Sequence, residues 1–177
     1  MFKGIKDKLK FKSGVKFLNE ELQKPFAAVE RKKGITSVAC LVDLDAFENA
    51  NLFYEFVEDY GLRPNAVKII GYKSYYDKNS PYATPVFSDK DLGWNGKIEN
   101  SYVLEFLSRE YDMLVNYYTH ENLLLHLMSV KTRARVRVGF KAIDSRYNDL
   151  ILDTPMKDFR VFKQELKKYL RVLNEIK

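Results

Sequence analysis

The chain has 177 residues, 46% hydrophobic and 14% aromatic, enough for one sizeable buried core. Its formal charge of +6 is unevenly held: residues 1–33 carry ten Lys/Arg against four Asp/Glu, whereas residues 34–177 carry 20 of each sign. The single cysteine, Cys40, excludes an internal disulfide and CxxC metal or redox motifs, and no apolar run approaches the roughly 18 residues of a spanning helix. With no apolar segment of a secretory signal near the start, the expected location is the cytoplasm.

Residues 1–33 read as a basic helical N-terminal arm. Phe2, Ile5 and Leu9 fall at helical spacing among Lys3, Lys6, Lys8, Lys10 and Lys12. Ser13-Gly14 interrupts the pattern, which resumes with Lys16 between Val15, Leu18 and Leu22 and stops near Pro25, so two short helices with a bend are expected. A helix of about a dozen residues is marginal alone in water, so the first is either loose or docked. Arg31, Lys32 and Lys33 close the arm.

Residues 34–177 read as a single α/β domain. The apolar run from Gly34 to Asp45 is a buried strand ending in two carboxylates, Asp43 and Asp45. Asp45 and Glu48 have the offset of a capping box for a helix that buries Phe47, Phe53 and Phe56 and ends at Gly61. A second strand covers 66–72. An irregular tract, 73–97, follows with Tyr75, Tyr76, Tyr82, Phe87 and Trp94, which an edge element at 84–87 would shorten. A helix over 99–109 leads to a third strand at 112–118, and Thr119 is the expected N-cap of a helix over 121–130. Residues 133–140 alternate strictly and read as a strand with one apolar and one basic face. A fifth strand covers 149–153, and Thr154-Pro155 opens the last helix. The expected fold is therefore Rossmann-like or flavodoxin-like: a mostly parallel five-stranded sheet with helices on both faces, commonly in the order 2-1-3-4-5.

The run from Tyr111 to Asn122, with Val138-Gly139-Phe140, Ile143-Asp144, the segment from Asn148 to Thr154, and the Asp89–Trp94 stretch, resembles a family of small bacterial α/β proteins of unknown function. The resemblance spans nearly the whole chain. It implies an α/β fold and carries over no catalytic residue.

Open α/β sheets bind ligands at the carboxyl ends of their strands. The polar residues expected there are Asp43, Asp45, Asn116, Thr119, His120, Asp153 and Thr154, a set that could hold Mg²⁺ and a phosphate. The Asp43-Leu44-Asp45 spacing looks like the first motif of haloacid-dehalogenase-type phosphatases, but the Lys and later acidic pair of that family have no clear counterpart. Each residue also has an ordinary role as a cap or turn. No glycine-rich phosphate loop occurs, so no nucleotide cofactor is expected. His120 and His126 are six apart and do not share a helical face.

Arg133, Arg135 and Arg137 fall on alternate positions of one strand. They are a charged edge that resists pairing, a face covered by acidic groups of a helix, or a surface contacting phosphate, to which the planar guanidinium fork is suited. Together with Lys3, Lys6, Lys8, Lys10, Lys12, Lys16, Arg31, Lys32 and Lys33 they form the expected nucleic-acid-binding set. The leading expectation is a non-enzymatic, RNA- or ribosome-associated binding protein. The alternatives are a Mg-dependent phosphatase-like enzyme at the acidic strand ends and a peripheral membrane protein anchored by the arm, with a homodimer also open.

Overall fold

A computed structural model describes residues 3–77 and 79–177. In chain order it contains α1 (Ile5–Leu22), β1 (Val38–Asp43), a 3-10 segment (Ala50–Glu55) running into α2 (Phe56–Asp59), β2 (Val67–Tyr72), β3 (Val86–Phe87), α3 (Ser101–Leu107), β4 (Glu110–Tyr117), α4 (Leu123–Lys131), β5 (Arg133–Phe140), β6 (Leu150–Leu152) and α5 (Phe159–Val172). The strands form one all-parallel sheet in the order β3-β2-β1-β4-β5-β6. Among the described residues the sheet has six strands rather than five; the sixth, β3, is the edge element expected at 84–87, only two residues long.

Every residue of β1 is buried, which explains why the strand reads as a continuous apolar run without alternation. Val38, Cys40 and Val42 pack on one face with Phe47, Phe53 and Phe56 and with Phe159, Phe162, Leu166 and Leu170 of α5. Ala39 and Leu41 pack on the other with α3 and α4. Tyr117 centres the first face, its ring 4.9–5.0 Å from Phe47, Phe53, Phe140 and Phe162. Burial at mid-strand pushes the Cys40 thiol well above its ordinary range, leaving it as packing.

Residues 5–22 form one continuous helix, not two with a bend. Gly14 is a point of contact: a Cβ there would lie 3.2 Å from Leu123 Cδ2 and 3.8 Å from the Gly96 backbone. Ser13 keeps its hydroxyl within the helix by donating to the Lys10 carbonyl, and that same oxygen accepts the Asn95 amide at 3.0 Å. Asn95 and Gly96 both have positive φ, and the turn they make carries Gly96 beneath Phe17. Lys131 lies over the Phe17 ring at 4.4 Å. Because Gly14 meets the start of α4 and Phe17 its end, α1 runs alongside α4 in the same direction. Its first turns therefore project toward the carboxyl ends of the strands. Phe2, counted with the apolar face of this helix, lies outside the described residues.

Local caps differ from expectation. Asp45 forms no capping box; its Oδ2 accepts the Ser74 amide at 2.9 Å, and the following segment is 3-10 before it is α. Asn122 rather than Thr119 caps α4, accepting from the Leu125 amide, and Asp158 rather than Thr154 caps α5, accepting from Val161. The base of the domain is tied by the chain's last residues. Glu175 accepts the Gly34 amide on its carboxylate at 2.8 Å and the Ile35 amide on its carbonyl at 3.0 Å.

Candidate functional site

The connection leaving β1 covers one face of the sheet, and those flanking β4 cover the other. The carboxyl ends of β1 and β4 are therefore the switch point at which an open sheet offers a crevice. Asp43 ends β1 there. Its Oδ1 accepts the Asp45 amide at 3.1 Å. Burial raises its pKa, with the Asp45 charge adding to the rise, while backbone donors and nearby His120 hold it down in part. His120 Nδ1 is 3.4 Å from Thr119 Oγ1. Tyr72, at the end of β2, donates to Asp89 at 2.8 Å.

Asp43, Asp45 and His120 are thus brought to one rim, while two other expected members stand elsewhere. Asn116 is buried two positions deeper, beside Leu41, and its Nδ2 donates to Asn148 Oδ1 at 2.8 Å. Asn148 in turn occupies the space over Gly139, where a Cβ would lie 2.2 Å from its amide nitrogen. Asp153 follows the edge strand β6, three strands from β1, and faces Lys141 at 3.3 Å. Among the described residues, no group of three or more His, Cys, Asp or Glu side chains is arranged to hold a metal ion.

The three arginines do not form one basic face, which corrects the alternating reading. Asp112 and Met113 both direct their amides to the Ser37 carbonyl, each at 3.2 Å, and the register between β4 and β5 skips the Asp112/Arg135 pair. Alternation breaks there, as at a bulge: Tyr111 and Leu114 pack on one face of the sheet and Met113 on the other. Arg133 pairs with Glu110 at 2.5 Å. Arg135 grips Glu175 through two parallel bonds of 2.7 Å and donates to the Gly34 carbonyl at 3.1 Å. Arg137 is buried. It donates to the main-chain carbonyls of Ser129, Thr132 and Tyr147, closing the carboxyl end of α4. Arg31, 81 residues distant in sequence, meets Asp112 at 2.6 Å.

The lysines of α1 have a different fate. Lys6, Lys8 and Lys12 are exposed and Lys10 half-buried, and none has an ion-pair partner among the described residues. Lys3 lies just ahead of the helix, exposed; Lys16 faces Glu20 at 4.0 Å; Lys32 and Lys33 are exposed. Ile5 and Leu9 lie one turn apart, 80% and 49% exposed. Trp94, 43% exposed, sits in the turn beneath the helix.

One polar cluster was not legible as such in the sequence. His126 is buried between Tyr118, whose hydroxyl is 3.1 Å from Nδ1, and Glu121, whose carboxylate is 2.6 Å from Nε2, and it stacks on Tyr147 at 4.4 Å. A spacing of five between Glu121 and His126 marks no helical face, so nothing local announces the contact.

These features define an α/β protein with an all-parallel sheet, a small acidic rim at its switch point and a basic helix docked beside it. Over residues 10–173 the chain matches the family described as "Family of unknown function (DUF6913)", and it belongs to that family. No curated protein and no solved structure matches it.

Proposed function

We propose that this is a non-enzymatic, cytoplasmic binding protein that engages RNA, on the ribosome or free of it, through the projecting half of α1, with a Rossmann-like sheet as its body. The supporting observation is the set of exposed lysines, Lys6, Lys8 and Lys12, without carboxylate partners among the described residues, on a helix held in place by Gly14 and Phe17. Phosphate contacts by such lysines displace counterions, so affinity falls steeply with salt. Arg135 and Arg137 are committed to Glu175 and to main-chain carbonyls, which leaves the binding role to the arm. At the rim, Asp43 and Asp45 each already hold a backbone amide, roles that account for both carboxylates without a reaction.

The test is sedimentation of the full chain with ribosomal particles and with total RNA at low and high salt, beside a variant with Lys6, Lys8 and Lys12 all changed to Ala. Binding released by salt is expected. For the variant, the slope of log affinity against log salt should fall by about two to three, close to one per lost phosphate contact. Salt-independent binding, or full retention by the triple variant, overturns the reading.

The exposure of Ile5 and Leu9 favours one second reading, in which α1 lies on an anionic bilayer. None of the described helices is long and apolar enough to cross a membrane, so contact would be peripheral. Co-sedimentation with phosphatidylserine vesicles but not RNA, lost in an Ile5→Ser, Leu9→Ser variant, would select it.

A further inference from the structure

β2 is paired along its whole length with β1, but β3 covers only its last two residues, Gly71 and Tyr72. In a parallel ladder successive residues turn their main-chain groups to opposite sides. Val38 donates to the Ala66 carbonyl and Leu44 to that of Tyr72, so the even-numbered residues of β2 face β1. Gly71 donates to the Pro85 carbonyl and Lys73 to that of Phe87, so the odd-numbered residues face outward. Val67 and Ile69 therefore turn both N–H and C=O to an edge where, among the described residues, no strand lies. β3 cannot extend to meet them, because Pro85 has no N–H to give the Ile69 carbonyl.

Beside this edge runs a cleft of about 320 Å³, walled by Tyr54, Pro64, Pro85, Tyr102 and Phe106. Tyr54 and Tyr102 are 47% and 56% exposed. Lys68 and Arg109 also line it, against a single carboxylate, Glu105, which Arg109 already engages at 3.3 Å. Lys68 has no ion-pair partner among the described residues.

We propose that the free edge of β2 receives an extended, carboxylate-bearing peptide segment of a partner protein, added as a strand beside Val67–Ile70 with alternate apolar side chains in the Tyr54/Tyr102 cleft. Two N–H and two C=O groups in strand register call for main chain of β conformation, not for a helix or a compact ligand. Charge decides between a partner and a second copy. Pairing β2 with itself across a two-fold axis brings two Lys68 side chains together, whereas a segment with Asp or Glu at its ends meets an unpaired ammonium.

The experiment measures amide hydrogen exchange in the isotope-labelled full chain. The probe is a blocked heptapeptide of alternating valine and threonine with Glu and Asp at its ends. In the free chain the Val67 and Ile69 amides should exchange at least tenfold faster than those of Lys68 and Ile70, which β1 holds. Saturating probe should slow them at least fivefold, while the same peptide ended by lysines leaves them unchanged. In Lys68→Glu, a half-exposed substitution that spares the core, the preference between the two peptides should reverse. The proposal is overturned if both amides are already protected in the free monomer, if neither peptide slows them, or if both slow them equally. It is also overturned if protection appears only with dimerisation in equilibrium sedimentation, which would make a second copy the occupant.

Discussion

The guanidinium carbon of Arg137 lies 3.8 Å from the centre of the Phe26 ring, so a residue of the segment that follows α1 covers a charge buried under α4. Burial brings this arginine down to about 10, still charged at neutral pH, and three main-chain carbonyls accept hydrogen bonds from it. Arg137→Met should leave those carbonyls without donors, each worth about 1–3 kcal/mol when buried and unpaired, and lower stability by roughly 3 kcal/mol or more in urea unfolding. Arg133→Ala, at a solvent-exposed ion pair, should change it by no more than about 0.5 kcal/mol. Equal effects would mean that Arg137 is not the anchor of the α4 terminus.

Gly14 and Gly96 set how closely α1 approaches the body. At Gly96, φ is +72° and a Cβ would lie 2.8 Å from Phe17 and 2.9 Å from Leu127. Gly96→Ala should therefore loosen α1, and Gly14→Leu should do so more strongly. Both should speed tryptic cleavage at the α1 lysines at least tenfold while the far-ultraviolet circular dichroism of the sheet-bearing body is retained. Unchanged cleavage would show that α1 is held by other contacts.

Asp112 is a buried carboxylate that collects Arg31, the amides of Thr36 and Ser37, and the Thr36 hydroxyl. Burial alone would raise its pKa, but the bonds from Arg31 and Thr36 outweigh it and leave the group below its ordinary value. A carboxylate depressed in the folded state contributes stability above its unfolded pKa of about 3.9, and that contribution is lost as pH falls through the folded value. Asp112→Asn should cost about 2 kcal/mol at pH 7 and flatten the acid limb of the stability curve below pH 4. An unaltered acid limb would assign that limb to other carboxylates.

His126 acts in the same direction at higher pH. Burial, its largest influence, lowers its pKa, and the bond and charge of Glu121, with the charge of Asp144, oppose this only in part. The folded state therefore disfavours the proton relative to the unfolded chain. Stability is complete above the ordinary histidine value of about 6.5 and declines as pH drops below it, by at most about 1.4 kcal/mol per unit. The urea midpoint should fall between pH 7 and pH 5, and His126→Phe, which keeps a ring against Tyr147, should shrink that fall even if it lowers the midpoint overall. An undiminished fall would place the titrating group elsewhere.

Legibility in the sequence followed how local the determining contact is. β1 could be read because burial on both faces writes itself as an uninterrupted apolar run, and Asp43 and Asp45 could be assigned to the rim because a strand's end fixes where the next residues lie. The arginine face could not be read. The irregularity that parts Arg135 from Arg137 depends on Ser37, 75 residues before Asp112. Gly14 carries the same letter whether it breaks a helix or admits a neighbouring one, and its distant neighbours Leu123, Leu92 and Gly96 decide which. Thr119 and Asn122 are both competent caps by residue type, and it is Asn122 that accepts the Leu125 amide.

Glu175 holding Gly34 and Ile35 means that the sheet-bearing body closes on itself: its first and last segments are hydrogen-bonded neighbours across 141 residues of sequence. Topologically that body is a ring whose opening at this place is not required by the fold. A permuted chain that links Glu175 directly back to Gly34 and opens instead in the exposed stretch at 79–82 should keep the same strand order. It would also free α1 to be supplied as a separate peptide, whose docking onto Gly96 and Leu127 could then be followed by titration.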